Sequence, residues 1–391
     1  MGSSILRDNF GRHYPTPPRT LPRSATPSKS PEAIARNLLA LADVLVDGNR
    51  PWDIAVHNPR FYERALTRGA LGLGESYMDG WWDCPDLAGF FSRILAARLD
   101  KKIPLNWGLL RIFIKARLLN PQSESKASAN VRRHYDIGND LYSRMLGSRM
   151  LYSCANWEHA ANLDDAEDAK FDFICRKLRI EPGMKILDLG CGWGGLSKYL
   201  AQQHGARVVG ITLSKEQAHF ARHSCAGLPV EIRLQDYRAL DEQFDRVVSL
   251  GMFEHVGHKN YRAYMEVVRR CLKPGGIFFL DTIGANYSSP YINEWTDKYI
   301  FPGSAFPSIK LIGAAIENLF VMNDWQNWGQ FYDRTLIAWF ENFHRNWRDI
   351  APHYGDRFYR MWKYYLLSSA GSFRAAKLQQ WMIVLAAPPR S

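Results

Sequence analysis

The sequence predicts an α/β protein in which a doubly wound, Rossmann-like sheet follows a smaller mixed α+β N-terminal domain. The first observation is a short apolar run at 185–189, which leads through a glycine-rich turn at 190–195 into a segment with helical spacing. The second is the alternation of strand and helix patterns after this turn, which is typical of a sheet covered by helices. In such sheets, ligands bind at the carboxyl ends of the strands.

The other elements of the sheet follow in a regular order along the chain. Aliphatic and β-branched runs mark the strands, and amphipathic spacing marks the helices between them. In chain order the remaining elements are predicted as helix 166–178, strand 207–212, helix 215–223, strand 230–234, strand 244–250, helix 264–271 and strand 277–281.

Composition limits the classes of partner. The chain has 391 residues, of which 46% are hydrophobic, so it can form a sizeable core, and its length favours two or three domains. Its 50 basic and 39 acidic side chains give a net charge of +11. A basic surface suits nucleic acid or an anionic membrane face, although a generally solvated surface would have the same composition.

The cysteines and the hydropathy pattern indicate a reducing compartment and no membrane span. Six cysteines are scattered without a Cys-x-x-Cys pair or histidine clustering, so we expect free thiols and no metal site. No apolar segment approaches the roughly 20 residues that span a bilayer, and the N-terminus lacks the apolar core of a signal peptide. We expect a cytoplasmic protein that touches a membrane from outside.

Changes in composition divide the chain into four parts. Residues 1–31 are rich in Ser, Thr, Pro and Arg, which predicts a disordered basic tail because such a segment buries little apolar surface. Residues 121–130 have the composition of a linker. Between tail and linker lies the N-terminal domain, 32–120, and the sheet domain occupies 131–391.

Two stretches of the N-terminal domain are distinctive. Residues 104–119 are apolar around most of a helical circumference, with Arg111, Lys115 and Arg117 interrupting the pattern. This segment could lie on a membrane surface or form an ordinary core helix. Residues 72–83 are rich in glycine and aromatic side chains and are typical of a packed aromatic turn.

The glycine turn predicts a nucleotide-like ligand, and its neighbours narrow the choice. The turn fits the Gly-x-Gly-x-x-Gly pattern of dinucleotide binders, which place an acidic residue at the end of the second strand. Here that strand ends in Thr212, and Gln217 follows one helical turn later. Asp188 before the turn and Asp236 after the third strand suit a cationic adenosyl ligand better. The pattern therefore favours S-adenosyl-L-methionine over a dinucleotide.

Longer runs along the chain resemble the cyclopropane-fatty-acyl-phospholipid synthase family. The resemblance covers about residue 33 to the end and includes the N-terminal domain. The matching runs are Leu-Gly-Glu-Ser-Tyr-Met-Asp-Gly-Trp-Trp at 73–82, His-Tyr-Asp-Ile-Gly-Asn-Asp at 134–140, Leu-Tyr-Ser-Cys-Ala-Asn-Trp at 151–157, the glycine turn, Gln-Asp-Tyr-Arg at 235–238, Gly-Met-Phe-Glu-His-Val-Gly at 251–257 and Lys-Tyr-Ile-Phe-Pro-Gly at 298–303.

The resemblance implies an S-adenosylmethionine-dependent methyltransferase domain at 131–391, with a helical lid over an acyl pocket and a lipid-engaging N-terminal domain. Family members add the methyl group to the double bond of an unsaturated acyl chain in a membrane phospholipid. They then remove a proton and close a three-membered ring, with bicarbonate as the proposed base. The resemblance also implies a homodimer. The net charge of +11 would hold the protein peripherally against the inner face of an anionic membrane.

Site residues follow from the same resemblance and from the glycine turn. Cys154 is expected to hydrogen-bond an anion rather than to act as a nucleophile. The expected cofactor-binding residues are Tyr152, Ser153, Asp188, Gly190, Cys191, Gly192, Thr212, Gln217, Gln235, Asp236 and Tyr237. The expected catalytic residues, around a bicarbonate pocket, are Cys154, Glu254, Asp281, Ile283, Tyr332 and, close by, Tyr135.

Asp281 departs from the family pattern. The synthases usually carry a histidine there, which helps to hold the bicarbonate, and a carboxylate cannot donate a hydrogen bond to an anion unless it is protonated. Three outcomes are open: Asp281 is protonated, it replaces bicarbonate as the base, or ring closure has changed. In the third case the product would be a methyl-branched or methylene lipid.

Two other classes of function compete with lipid methylation. A nucleic-acid methyltransferase would explain the charge and the fold, but the sequence contains no recognised RNA-binding module and no Asn-Pro-Pro-aromatic signature after the fourth strand. A non-catalytic lipid-binding protein is suggested by Asp281 alone. We therefore expect an unsaturated phospholipid, and no nucleic acid, as the partner.

Overall fold

The computed structural model describes residues 30–99 and 138–388. Residues 30–99 form a helical N-terminal unit, and residues 138–388 form the larger α/β unit. Several expectations fall outside the described residues: those for the tail up to residue 29, the segment 104–119, the linker 121–130 and Tyr135.

The N-terminal unit contains three helices and a short antiparallel ladder. Its elements are α1 (Pro31–Ala40), β1 (Ala55–Val56), α2 (Arg60–Met78), β2 (Trp82–Asp83) and α3 (Leu87–Ala96). The expectation of a packed turn over 72–83 was wrong, because α2 continues through Met78. A Cβ atom at Gly74 would overlap the ring of Trp295, so glycine serves close packing in a helix here rather than a turn.

The larger unit is built on one seven-stranded sheet. Its strands are β3 (Lys185–Leu189), β4 (Arg207–Thr212), β5 (Val230–Leu234), β6 (Phe244–Leu250), β7 (Leu272–Gly284), β8 (Val321–Asn327) and β9 (Gln379–Ala386). The strand order is β5-β4-β3-β6-β7-β9-β8. The first five strands in this order are parallel, and β9 pairs antiparallel with both β7 and β8. This topology confirms the predicted doubly wound sheet.

Ten helices accompany this sheet among the described residues. They are α4 (Asn139–Met145), α5 (Leu163–Leu178), α6 (Gly195–His204), α7 (Lys215–Ser224), α8 (Tyr261–Cys271), α9 (Glu294–Tyr299), α10 (Ile309–Ile316), α11 (Gly329–Arg345), α12 (Trp347–Tyr354) and α13 (Asp356–Arg374). Within residues 30–99 and 138–388, no helix is long and apolar enough to cross a membrane.

Helix α13 joins the two units, because it packs against α3 and α2 of the N-terminal unit and against α11 of the larger unit. The contact between α13 and α3 is close, since a Cβ atom at Gly371 would lie 2.6 Å from the backbone oxygen of Ala88. Helices α11 and α13 cover the loop that follows α4, as described below, so the N-terminal unit supports the cover of the site.

Glu75 forms a buried polar link between the units. Its carboxylate is buried, and it pairs with Arg64 and Arg68 on its own helix and with Lys298 on α9 at distances of 2.7–2.8 Å. Tyr299 also donates a hydrogen bond to it, at 3.1 Å. Burial by itself would raise the pKa of Glu75, but these hydrogen bonds outweigh burial and lower the pKa to about 2.

Replacing Glu75 with glutamine is expected to lower the free energy of unfolding by about 3 kcal/mol at pH 7. The two arginines and the lysine that pair with Glu75 would then lack a negative charge to compensate them. The folded-state pKa is depressed, so this stabilisation is present above the unfolded value of 4.5 and is lost as the pH falls towards 2. Urea unfolding of the wild type and the variant at pH 7 and pH 3 measures the loss of stability and its dependence on pH. Glu63→Gln, on the exposed side of α2, is the control. An equal loss at both pH values would contradict the assignment.

Candidate active site

A pocket opens at the carboxyl ends of β3, β4, β5 and β6, where the sequence places the cofactor. All of the expected cofactor-binding residues line it. They are Tyr152, Ser153, Asp188, Gly190, Cys191, Gly192, Thr212, Gln217, Gln235, Asp236 and Tyr237. They come from the loop after α4, the end of β3 and the glycine turn, the end of β4 and the start of α7, and the segment after β5, so the structure brings together residues that are up to 85 positions apart.

The glycine turn has the backbone that only glycine adopts easily. Gly190 and Gly192 have φ angles of 80° and 55°. A Cβ atom at Gly192 would meet nothing within 4 Å, although the residue lines the pocket. The turn therefore leaves an open cradle that a side chain would fill, and the N-terminus of α6 follows directly. Unpaired N–H groups of a helix start and a close backbone suit a nucleotide-like ligand.

The acidic residues of the pocket are held in place by short hydrogen bonds. Asp188 is buried and accepts a hydrogen bond from Ser197 Oγ at 2.7 Å, and burial raises its pKa to about 6. Asp236 accepts from the backbone N–H of Arg238 and pairs with its guanidinium at 2.9 Å. Thr212 Oγ1 donates to Gln217 Oε1 at 2.8 Å. These hydrogen bonds fix the polar wall of the pocket.

Glu254 forms the centre of a second cluster beside this pocket. It lies on a short 3₁₀ helix, Phe253–His255, which follows β6. Its Oε1 accepts a hydrogen bond from the backbone N–H of Ile283 at 2.6 Å. Its Oε2 is buried and has no hydrogen-bond partner among the described residues. Burial raises the pKa of Glu254 to about 7, so its free oxygen can gain or lose a proton near neutral pH.

Cys154 and Tyr332 complete this second cluster. Burial raises the pKa of the Cys154 thiol, and its Sγ donates to backbone oxygens of Ala155 and Trp328 at 3.4 and 3.8 Å. A thiol in this environment is a weak donor, not a thiolate nucleophile. Burial also raises the pKa of Tyr332 on α11, and the nearby groups Tyr365, Cys154, Asp281 and Glu254 raise it further. Ile283 contributes its backbone N–H, which donates to Glu254.

Asp281 has a structural partner instead of the roles that the sequence left open. Its Oδ2 accepts hydrogen bonds from Lys170 Nζ and Ser153 Oγ, both at 2.6 Å, and its Oδ1 accepts from Gln380 Nε2. The side chains of Lys170 and Asp281 are both fully buried. Lys170 and Ser153 thus occupy one carboxylate oxygen of Asp281, and Gln380 occupies the other. This geometry supports neither a proton donor nor a base at Asp281.

Lys170 was missed by sequence reasoning, although a signal was present. It lies on α5 with Ala166 and Ile174, four positions to either side, and all three are completely buried. A lysine in the apolar stripe of a helix requires a buried partner, which the stripe alone does not identify.

Aromatic side chains of α11 and α13 pack against Tyr152, which lines the pocket, and reach Tyr332 of the second cluster. Tyr152 and Tyr365 share a hydrogen bond between their hydroxyl groups at 2.8 Å. The rings of Tyr152 and Trp339 lie 5.1 Å apart, and those of Trp339 and Tyr332 lie 5.9 Å apart. Aromatic faces attract positive charge, and their bulk excludes water. The arrangement suits a reaction that develops positive charge in a dry pocket.

Sequence comparisons match the chain to lipid cyclopropane synthases and related methyltransferases. Residues 122–383 match the family model described as mycolic acid cyclopropane synthetase. The cyclopropane-fatty-acyl-phospholipid synthase of Escherichia coli K12 is 51% identical over 351 residues, which are 90% of this chain and 92% of that protein. The tuberculostearic acid methyltransferase UfaA1 of Mycobacterium tuberculosis is 33% identical, over 85% of this chain and 83% of that protein.

Solved structures agree with the sequence matches. The cyclopropane synthase MmaA2 from Mycobacterium tuberculosis has a TM-score of 0.63 and 28% identity, covering 66% of this chain and 98% of that chain. The mycolic acid cyclopropane synthase CmaA1, complexed with SAH and CTAB, has a TM-score of 0.63 and 29% identity over the same shares.

Proposed function

Because the chain belongs to the mycolic acid cyclopropane synthetase family, we propose that it is an S-adenosylmethionine-dependent cyclopropane-fatty-acyl-phospholipid synthase. It adds a one-carbon unit to the double bond of an unsaturated fatty acyl chain in a membrane phospholipid. The observation that carries the proposal is the meeting of two sites at one sheet edge: a pocket for an adenosyl ligand, and a buried cluster around the free oxygen of Glu254.

The pocket residues fit the cofactor. S-adenosylmethionine supplies an electrophilic methyl group on a positively charged sulfur. Gly190 and Gly192 allow a ligand to approach the backbone closely, and Asp188 and Asp236 place negative charge beside a cationic ligand. An alkene is a poor nucleophile, so the protein must hold the double bond in line with the methyl group. The aromatic walls then stabilise the positive charge that develops on the acyl chain.

Ring closure requires a group that removes a proton from the transferred methyl. We propose that bicarbonate, when bound, supplies this base, and that Glu254, Tyr332 and Cys154 hold it. The free Oε2 of Glu254 can accept the hydroxyl proton of a bicarbonate, and Tyr332 offers a buried phenol with a raised pKa. Because Lys170 neutralises Asp281, an anion here does not face a second uncompensated carboxylate.

Lipid analysis tests the proposed function directly. Expression in a host that lacks its own cyclopropane synthase is expected to yield phospholipids heavier by one CH₂ unit and without the original double bond. A methyl-branched or methylene product would contradict ring closure. Methyl incorporation into RNA or DNA with none in lipid would favour a nucleic-acid methyltransferase, and no turnover on unsaturated vesicles would favour a non-catalytic lipid-binding protein.

The membrane is proposed as the partner on grounds of charge. All but one of the eleven net positive charges lie in residues 1–29, 100–137 and 389–391. Attraction of these segments to anionic headgroups would hold the protein at the inner face of the membrane while it draws an acyl chain into its pocket. On family likeness alone we also propose a homodimer, which sedimentation velocity would test.

Activity on anionic unsaturated vesicles is expected to fall as ionic strength rises, because salt screens charges at a surface. Vesicles of neutral phosphatidylcholine with the same acyl chains are the control, and their turnover is expected to vary less with salt. A variant that lacks residues 1–29 should lose part of the salt dependence. Turnover on anionic vesicles that is unaffected by salt would contradict the electrostatic account.

A further inference from the structure

A closed triangle of hydrogen bonds lies in the core behind the pocket wall. Lys170 Nζ donates to Asp281 Oδ2 at 2.6 Å and to Ser153 Oγ at 2.9 Å, and Ser153 Oγ donates to Asp281 Oδ2 at 2.6 Å. Lys170 and Asp281 are fully buried, whereas Ser153 lines the pocket. Ser153 is therefore the point at which the buried ion pair reaches the pocket.

Other side chains of α5 hold the same loop, 147–153. Glu167 accepts hydrogen bonds from the backbone N–H groups of Gly147 and Arg149, both at 3.3 Å. Asp164 accepts from the backbone N–H of Ser148 at 2.7 Å. The last five residues of this loop all line the pocket. One helix thus fixes one wall of the pocket at several points, and Lys170 holds its end.

A buried ion pair is a costly way to stabilise a core, since well-packed apolar residues of similar volume often do as well or better. The pair here instead orients the side chain of Ser153. The Ser153 hydroxyl gives its one hydrogen to Asp281 and accepts one from Lys170, so its rotamer is determined by both charges. Removing the charges without replacing these hydrogen bonds would release the end of the wall.

We propose that Lys170 is a positioning residue for the cofactor pocket: paired with Asp281, it fixes Ser153 and with it the wall at Tyr152 and Ser153. The inference rests on the proposed function in one respect, that the pocket binds an S-adenosyl compound. Lys170 touches no reacting atom in this account, and its effect is on affinity for the cofactor.

The test first compares stability with affinity in three variants of the ion pair. Lys170→Met and Asp281→Leu each leave one buried charge unpaired, and both are expected to lower the melting temperature. The double variant K170M/D281L removes both charges, and its melting temperature is expected to return most of the way to the wild-type value. Binding of S-adenosylhomocysteine, measured by calorimetry, should nevertheless stay about tenfold weaker in the double variant, because a hydrogen bond to a charged group is lost.

Ser153→Ala keeps the test decisive even if the charge variants fold poorly. It is expected to weaken S-adenosylhomocysteine binding to a similar extent, to lower the melting temperature less than either single charge variant does because the ion pair remains, and to weaken binding no further in the K170M/D281L background. Lys177→Met is the matched control, because Lys177 lies on the same helix in a half-exposed pair with Asp324 and away from the pocket. It should bind as the wild type does.

Two results would overturn the inference. If K170M/D281L recovers both stability and wild-type affinity, the pair is structural only, and the proposed function is unaffected. If Ser153→Ala binds as tightly as the wild type, the wall does not depend on this hydroxyl. Failure of the wild-type protein to bind S-adenosylhomocysteine would instead overturn the proposed function, and this inference with it.

Discussion

Replacing Glu254 with glutamine is expected to lower turnover of an unsaturated phospholipid by about 10³-fold, which is within the range for loss of a group that handles a proton. Glutamine can still accept the hydrogen bond from the backbone N–H of Ile283, so the local fold is preserved. What disappears is the free carboxylate oxygen in the buried cluster. Steady-state kinetics, together with calorimetric binding of S-adenosylhomocysteine, would separate chemistry from cofactor binding.

The pH dependence gives a second readout of Glu254. Its pKa is raised to about 7, so wild-type turnover that needs the ionised form should fall as the pH drops through 7. Burial penalises the charged form, so the folded state binds more protons than the unfolded state between the usual value of 4.5 and about 7, and stability falls as pH rises through that window. Glu254→Gln removes this loss and should be at least as stable as the wild type at pH 8.

Glu266→Gln is the control for removal of a carboxylate. Glu266 lies on the exposed side of α8 in a surface pair with Arg262, so its kinetics should match the wild type. Turnover by Glu254→Gln at more than a tenth of the wild-type rate would rule out Glu254 as a group that holds or moves the proton.

Replacing Gly192 with valine is expected to weaken S-adenosylhomocysteine binding at least about a hundredfold, equivalent to ~3 kcal/mol. The Cβ direction at Gly192 is open, and the residue lines the pocket, so the added side chain occupies ligand space. A φ angle of 55° also disfavours valine, which adds a cost in stability. Binding and thermal unfolding together distinguish the two effects.

Gly183→Val isolates the cost in backbone strain. Gly183 has a φ angle of 81°, open space around its Cβ direction and an exposed position before β3, outside the pocket. It should lose a comparable amount of stability and bind normally. If both variants bind equally well, the glycine turn is not the ligand cradle.

The parts of the protein that the sequence predicts well are those set by local pattern. The bounds predicted for three strands, 207–212, 230–234 and 244–250, are those observed, because aliphatic runs between turn residues leave little choice of structure. The convergence of Asp188, Asp236 and the glycine turn follows from one rule, that the carboxyl ends of parallel strands share an edge.

The parts that the sequence misses depend on partners far along the chain. Gly74 lies inside α2, where it leaves room for the ring of Trp295 on α9, and no local pattern shows that contact. Lys170 and Asp281 are 111 positions apart, so neither identifies the other in the sequence. Considered alone, Asp281 suggested changed chemistry. In the structure Asp281 forms a buried ion pair with Lys170, so our proposal assigns the proton chemistry to the cluster around Glu254.

The most direct test uses S-adenosylmethionine with a fully deuterated methyl group and a monounsaturated phospholipid. Ring closure removes one hydrogen from the transferred carbon, so the purified protein should give a lipid that keeps two of the three deuterium atoms and has no carbon–carbon double bond. Mass spectrometry before and after ozonolysis measures both properties. A lipid that keeps all three deuterium atoms, or a labelled lipid that is still cleaved by ozone, would contradict the assignment as a cyclopropane synthase.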